Sequence, residues 1–183
     1  MKQSILISGS GGQGVLSAGM LLAQSAADSG KYASFLPEYG PEQRGGSAKC
    51  TVLTSDKEII SPLPKKCMYW ICMNEQSFKK FGTQLKEGGV LVYNSNRVTS
   101  PITRTDITAI PVPSDQLADQ LGNPKAANII LIGALLAARK AIVDPEHFLK
   151  SLEEKFASKS DEIRELNAKA FKIGADIGKD YAE

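Results

Sequence analysis

A glycine-rich segment near the start of the chain has the composition of an anion-binding loop. It follows a short apolar stretch, Ser4–Ser8, precedes a run with helical spacing, Val15–Asp28, and consists of Gly9, Ser10, Gly11, Gly12, Gln13 and Gly14. Glycines permit positive φ and let an anion approach the backbone, and the helix beyond offers unpaired N–H groups and the positive end of its dipole. We expect Ser10 and Gln13 to add side-chain donors. The pattern predicts a site for a phosphate or pyrophosphate; the alternative is a tight strand–helix turn without a ligand.

A second loop, residues 37–46, reads PEYGPEQRGG. Its Arg44 is a planar, permanently charged donor suited to a phosphate or a carboxylate. Gly45 and Gly46 follow it and permit close approach of a ligand to the backbone. The first two strands of such a fold usually end at the same edge of the sheet, so we expect both loops to converge on one anionic ligand. The alternative is a surface arginine on a turn.

The glycine motif alone does not specify a dinucleotide. An NAD site needs an acidic residue about 20 residues after the glycines, at the end of the second strand. Asp28 lies inside the first predicted helix. Glu38 follows Pro37 in the second loop, and it could bind the ribose only if that loop folds back toward the glycines. The lysine and Ser/Thr of a P-loop are absent after Gly14, which disfavours nucleoside triphosphate hydrolysis.

The composition excludes several other classes of function. The net charge is only +2 and basic residues form no stripe, so nucleic acid is not an expected partner. The chain has one histidine, His147, which stands in a predicted first helical turn, so a surface position is expected and no catalytic residue is assigned. Its three cysteines form no CxxC pair, so we expect no metal ligands and no zinc or iron–sulfur site held by this chain alone.

The remaining composition is that of one globular domain spanning residues 1–183. Its longest uncharged stretch, Ala126–Ala138, is too short to cross a bilayer, so no membrane partner is expected. The N-terminal residues lack the pattern of a signal peptide, and we expect a cytoplasmic protein.

Hydrophobic periodicity predicts alternating strands and helices. Expected strands are Ser4–Ser8, Lys31–Leu36, Ser47–Thr54, Met68–Met73, Gly89–Tyr93 and Ile107–Val112; expected helices are Val15–Asp28, Glu75–Leu85, Ser114–Leu121, Ala126–Ala141, one capped by Asp144 and one across Ile163–Ile177. No crossover helix fits between Leu36 and Ser47, so at least one pair of strands must be antiparallel. The fold class predicted is α/β, a three-layer α/β/α sandwich with a mixed, mostly parallel sheet.

The two loops together resemble those of a known family. GSGGQGV, followed by AGMLLA at Ala18–Ala23 and then by PEYGPEQRGG, is similar to the gamma subunit of the 2-oxoacid:ferredoxin oxidoreductases. Weaker similarity continues in order to the C-terminus through Ser55-Asp56, Ile60–Pro62, Lys86–Gly89, Asn128–Gly133 and Asn167–Phe171. Within the family, the second loop is most like the 2-oxoglutarate-type branch.

The resemblance implies a domain like domain III of pyruvate:ferredoxin oxidoreductase. Such enzymes convert a 2-oxoacid and coenzyme A (CoA) into acyl-CoA and carbon dioxide and pass the electrons to ferredoxin. It implies that the Gly9–Gly14 loop faces the ADP part of CoA and Arg44 a phosphate. Thiamine diphosphate and iron–sulfur clusters then reside in partner alpha, beta and delta-type subunits, and the isolated chain is inactive. A free-standing NAD(P)- or flavin-reductase-like module and a non-catalytic interaction domain are the alternatives.

Overall fold

The protein is described by a computed structural model covering residues 2–40 and 46–182 of the 183-residue chain. The strands are β1 Gln3–Ser10, β2 Tyr32–Tyr39, β3 Ser47–Ser55, β4 Cys67–Cys72, β5 Leu85–Asn94 and β6 Thr108–Val112. The helices are α1 Val15–Asp28, α2 Glu75–Phe81, α3 Ser114–Gln120, α4 Ala127–Ala138, α5 Pro145–Lys155 and α6 Asp161–Lys179, with 3₁₀ turns at Gly82–Gln84 and Pro124–Ala126.

The strands form a six-stranded sheet in the order β2-β3-β1-β4-β5-β6. β3 pairs antiparallel with both β1 and β2, whereas β1–β4, β4–β5 and β5–β6 are parallel pairs. The mixed, mostly parallel sheet predicted from the missing crossover helix is therefore confirmed. The carboxyl ends of β1, β2, β4, β5 and β6 meet at one edge of the sheet, which is where ligands bind in open α/β folds.

The helices cover the two faces of the sheet unequally. One face carries the larger core, in which α1 and α4 lie on the strands and α3, α5 and α6 pack against them. The opposite face carries a smaller core, where Trp70 is stacked on Phe78 of α2 with 5.9 Å between ring centroids. Tyr69 and Trp70 of β4 are both buried, whereas Tyr39 at the end of β2 is 74% exposed.

Several of the predicted boundaries were wrong, most clearly at the end of β2 and at the start of β5. β2 continues through Pro37 to Tyr39, where the sequence predicted a loop; β2 is an edge strand, and a proline is tolerated there because one side of the strand needs no ladder hydrogen bond. The helix predicted across Glu75–Leu85 ends at Phe81, and the strand predicted to begin at Gly89 begins at Leu85, so that Gly88 and Gly89 both lie inside β5. Gly88 has φ 72°, and its N–H donates to the Asp106 carbonyl at 2.8 Å, so the irregular start of β5 is tied to the chain before β6.

Candidate anion-binding site

The glycine loop leaves backbone N–H groups free at the start of α1. Gly12 has φ 89° and Gly14 has φ 74°, and Gly14 is the N-cap of α1 without a side-chain cap. Within residues 2–40 and 46–182, no acceptor takes the N–H of Gly12 or Gly14. The first turn of α1 carries no acidic residue, whereas α2, α5 and α6 are capped by Asn74, Asp144 and Ser160 and carry acids in their first turns. An anion is therefore the ligand that suits this end of α1.

The side chains of Ser10 and Gln13 hold the loop in shape. The Ser10 N–H donates to Gln13 Oε1 at 2.7 Å, and Gln13 Nε2 donates to the Met73 carbonyl at 3.4 Å. Asn74 Nδ2 donates to Gln13 Oε1 at 3.1 Å and also to Ser10 Oγ. The sequence predicted both side chains as ligand donors; in the structure they join the loop to the end of β4, and their contact with a ligand stays a prediction.

Two asparagines that the sequence analysis did not assign to the site position the loop. Asn74 braces it from the side while its Oδ1 accepts the Ser77 N–H at 2.9 Å, which caps α2. Asn128, at the start of α4, donates from Nδ2 to the Gly14 carbonyl at 3.2 Å. A Cβ on Gly14 would collide with Asn128 Nδ2, so this glycine is required by a neighbour as well as by its own φ. The position of Asn74 directly before a predicted helix would have allowed its capping role to be predicted from the sequence. No neighbouring residue in the sequence indicates that Asn128 contacts Gly14.

The end of the second loop reaches the first. The Gly11 N–H donates to the Gly46 carbonyl at 3.2 Å, and Ser10 pairs with Ser47 where β1 and β3 run side by side. Gly46 thus lies beside the glycine loop, as expected. Arg44 and Gly45 lie outside the described residues, and their assignment to the site stays a prediction.

A cavity of about 650 Å³ opens from the glycine loop across the carboxyl ends of the parallel strands. Its walls include Gly12–Gly14, Met73 after β4, Asn94 at the end of β5 and Ser114 after β6. The start of α4 and the end of α5 complete the lining. Ser114 is fully buried, and its hydroxyl has no hydrogen-bond partner in the described part of the chain. A cavity of this size holds a drug-sized ligand, and the residues with free N–H groups, Gly12 and Gly14, line it.

The cavity is positively charged. Among the described residues, four cationic side chains and one carboxylate, Asp115, line it; the cations are Arg97, Lys125, Lys155 and Lys159. Arg97 forms an ion pair with Asp115, while none of the three lysines has a carboxylate partner among the described residues. Burial lowers the pKa of Lys155, whose Nζ donates to the Ser17 carbonyl of α1 at 3.3 Å. Unpaired lysines beside free backbone donors favour a ligand with more than one negative group.

The topology disfavours an NAD site. In the dinucleotide fold the strand carrying the ribose-binding acid lies directly beside β1. Here β3 separates β1 from β2, and Glu38 of β2 pairs with Lys49 of β3 at 3.1 Å. The acid that the sequence considered for a ribose is therefore one strand too far away and already has a cationic partner.

A metal site and a membrane-spanning helix are both absent from the described residues. Within residues 2–40 and 46–182, no cluster of His, Cys, Asp and Glu is arranged to hold a metal ion, and no helix combines the length and apolar character needed to cross a membrane. His147 is about half exposed, and its Nδ1 lies 4.0 Å from Asp144 Oδ1.

Comparison with known proteins decides the family. The family model described as pyruvate ferredoxin/flavodoxin oxidoreductase matches residues 4–177. The chain belongs to this family. Membership covers nearly the whole described chain, including the glycine loop, the cavity and the α4–α6 pair, and it confirms the resemblance carried by the two loops.

Two curated relatives show how the family domain is used. The chain is 33% identical over 179 residues to the ketoisovalerate oxidoreductase subunit VorA of Methanothermobacter thermautotrophicus, covering 98% of this chain but 37% of that protein. It is also 33% identical to the 2-oxoglutarate synthase subunit KorC of Methanocaldococcus jannaschii, over 98% of this chain and 96% of that subunit. The chain thus corresponds to about a third of the length of the VorA relatives and to nearly the whole length of KorC.

Solved structures confirm the fold. The gamma subunit of a keto/oxoacid ferredoxin oxidoreductase from Geobacter sulfurreducens superposes with a TM-score of 0.81 at 30% identity, covering 96% of this chain and 98% of that one. A 2-oxoglutarate:ferredoxin oxidoreductase from Magnetococcus marinus, with 2-oxoglutarate, CoA and succinyl-CoA bound, superposes with a TM-score of 0.90 at 23% identity. The match covers 98% of this chain and 31% of the Magnetococcus chain, and it bears on the fold alone.

Proposed function

We propose that this chain is the gamma-type subunit of a 2-oxoacid:ferredoxin oxidoreductase and holds CoA in the cavity beside the Gly9–Gly14 loop. The complex would convert a 2-oxoacid, CoA and oxidised ferredoxin into acyl-CoA, carbon dioxide and reduced ferredoxin. The observation that carries the proposal is the N-terminus of α1, which has no side-chain cap and lines a cavity together with three lysines that have no carboxylate partner in residues 2–40 and 46–182. CoA carries a pyrophosphate and a separate phosphate monoester, which suits these two kinds of donor.

We assign the ADP part of CoA to the two loops. The residues are Gly9, Ser10, Gly11, Gly12, Gln13 and Gly14 of the first loop and Arg44, Gly45 and Gly46 of the second. The N–H groups of Gly12, Gly14 and the first turn of α1 would bind the pyrophosphate. Ser10, Gln13 and Asn74 would keep those groups oriented through their mutual hydrogen bonds. No residue of this chain is assigned to the chemical step.

Partner subunits would carry the reaction itself. Thiamine diphosphate and iron–sulfur clusters would reside in alpha, beta and delta-type subunits, and electrons would leave through the complex to ferredoxin. The three cysteines of this chain, none in a CxxC pair, agree with that division of labour. All three are free thiols, which agrees with a cytoplasmic location.

We propose 2-oxoglutarate as the substrate of the complex. The YGPEQRGG loop is most like the 2-oxoglutarate-type branch, and KorC is matched over nearly its whole length. VorA is equally identical to this chain, but the match covers only 37% of the length of VorA. We therefore choose 2-oxoisovalerate as the competing substrate in the test.

Reconstitution tests this function. The complex is assembled from its partner subunits with and without this chain, and reduction of ferredoxin is followed with CoA and 2-oxoglutarate, 2-oxoisovalerate or pyruvate. We expect activity only when this chain is present, none from the chain alone, and the highest kcat/KM with 2-oxoglutarate. Full CoA-dependent activity of the complex without this chain would overturn the proposal.

Calorimetry separates this function from the dinucleotide-binding alternative. CoA, NAD and NADP are titrated into the assembled complex and into the partner subunits alone. We expect CoA to bind only when this chain is present. Binding of NAD or NADP, with no binding of CoA, would establish the alternative instead.

A further inference from the structure

Two lysines that line the cavity, Lys155 as the last residue of α5 and Lys159 in the segment between α5 and α6, are placed to recognise one feature of the ligand. We propose that Lys155 and Lys159 bind the 3′-phosphate of CoA, so that this subunit makes the complex selective for CoA over dephospho-CoA. The inference rests on the proposed function, because it identifies which groups of the same site recognise which phosphate.

The position of Lys155 supports this assignment. Its Nζ lies 3.3 Å from the Ser17 carbonyl, in the first turn of α1. The N–H groups that would hold the pyrophosphate belong to Gly12, Gly14 and the start of that same turn, and Lys155 lines the cavity together with Gly12 and Gly14. The 3′-phosphate and the 5′-pyrophosphate of CoA are carried by the same ribose and therefore need neighbouring sites of this kind.

The charge of the cavity points to the same pair. Arg97 is neutralised by Asp115, so it offers little net charge to a ligand. Lys155 and Lys159 line the same wall, on either side of Phe156, and neither has a carboxylate partner among the described residues. Lys125 also lines the cavity without such a partner, but it stands before α4, in a different part of the lining from the end of α5.

The surroundings of Lys155 make it responsive to a bound anion. Partial burial lowers the pKa of its ammonium, since water that would stabilise the charge has been removed. A phosphate monoester, which carries nearly two negative charges at neutral pH, would replace that lost solvation. Both side chains remain exposed to solvent, and Lys159 would bind from the segment that follows α5.

The test measures affinities for CoA and for dephospho-CoA in the assembled complex by calorimetry. The variants are Lys155→Ala, Lys159→Ala and the double variant, with Lys125→Ala as a control inside the cavity and Lys150→Ala as a control on the same helix outside it. We expect the wild type to prefer CoA, and the double variant to lose roughly tenfold of that preference through weaker CoA binding. The affinity for dephospho-CoA should change little in the Lys155→Ala, Lys159→Ala and double variants.

The controls separate a specific contact from general attraction. Lys125→Ala should weaken both ligands by similar factors and leave their ratio unchanged, and Lys150→Ala should change neither affinity. Equal affinity of the wild type for CoA and dephospho-CoA, or a preserved ratio in the double variant, would overturn the inference while leaving the proposed function intact. Failure of the wild type to bind CoA at all would overturn both. A change in the ratio of NADP to NAD affinity, with the CoA ratio unchanged, would reassign the pair to a different nucleotide.

Discussion

At the scale of single residues, the glycines of the first loop have different physical roles. Gly14 needs its positive φ, and Asn128 occupies the space that a side chain would take. A Cβ on Gly9 would lie 2.7 Å from Gln13 Oε1 and 2.9 Å from Val15 Cγ2, so close packing excludes a larger residue there. A Cβ on Gly11 would meet nothing within 4 Å, and its φ is not positive. Close packing therefore requires glycine at position 9, backbone conformation and Asn128 require it at position 14, and the described contacts do not require it at position 11.

Gly14→Ala should destabilise the fold by about 1–3 kcal/mol, because it adds left-handed backbone strain and displaces Asn128 from the Gly14 carbonyl. Gly11→Ala should leave the free energy of unfolding within about 0.5 kcal/mol of wild type. Urea denaturation of both variants measures the difference. Equal stabilities would show that the loop relaxes around a methyl group at either position.

At the scale of elements, α2 is tied to the segment before β6 by one carboxylate. Glu75 accepts the Thr99 N–H at 2.9 Å, the Ser100 N–H at 3.2 Å and the Ser100 hydroxyl, and it pairs with Lys79 at 3.1 Å. The hydrogen bonds from Ser100 lower the pKa of Glu75 to about 2, from an ordinary value of 4.5. Since the folded state favours the ionised form, this carboxylate stabilises the fold above the unfolded pKa, and its contribution is lost as the pH falls toward the folded one.

Glu75→Gln should therefore be less stable than wild type at pH 7, and the gap should close as the pH falls from about 4.5 to about 2. Denaturation of both proteins across that range measures the gap. Ser100→Ala removes one of the bonds that lower the pKa and should shift the closing of the gap to higher pH. A gap that stays constant down to pH 2 would contradict the role given to the ionised carboxylate.

The contact between α4 and α6 depends on glycines. Cβ atoms built on Gly133, Gly174 and Gly178 would collide with the carbonyl oxygens of Phe171, Ile130 and Ala134, respectively, so the two backbones touch directly. This contact fixes the start of α4, and with it Asn128, beside the glycine loop. Gly133 falls within the Asn128–Gly133 motif of the family resemblance, and the packing of α4 on α6 explains why a glycine is needed there.

Gly174→Ala should destabilise the protein by about 1–3 kcal/mol through overpacking. The sign is informative, because the same change in an exposed helix stabilises by up to about 1 kcal/mol. Lys172→Ala, at an exposed position of the same helix, serves as the control and should fall within about 0.5 kcal/mol of wild type. Thermal unfolding of the two variants is sufficient to compare them.

At the scale of the whole molecule, the three cysteines lie in the cores on both faces of the sheet, so their reactivity can show whether each face opens. Cys50 belongs to the larger core, and Cys67 and Cys72 belong to the smaller one. Burial raises the pKa of Cys50 and Cys72 to about 12 and that of Cys67 to about 11. The thiolate is the reactive form, so all three should resist alkylation until the fold opens.

If residues 1–183 form one cooperative domain, as the sequence predicts, pulsed alkylation across a urea gradient should label all three thiols at one midpoint. Mass spectrometry of the separate peptides gives the midpoint for each thiol. Earlier labelling of Cys67 and Cys72 than of Cys50 would show that the face covered by α2 opens by itself.

The strand–glycine loop–helix unit and the mixed sheet could be predicted from the sequence, because local propensities and connection lengths are encoded by neighbouring residues. The family could be predicted from the motifs of the two loops. Only the tertiary structure decided that Asn128 binds Gly14 across 114 residues and that Lys155 reaches Ser17 across 138. It also decided that β3 separates Glu38 from β1, which disfavours NAD. Such contacts arise from how helices and strands pack, and no local pattern in the chain specifies them. The glycine loop could therefore be predicted from the sequence, while the charged wall that faces it could not.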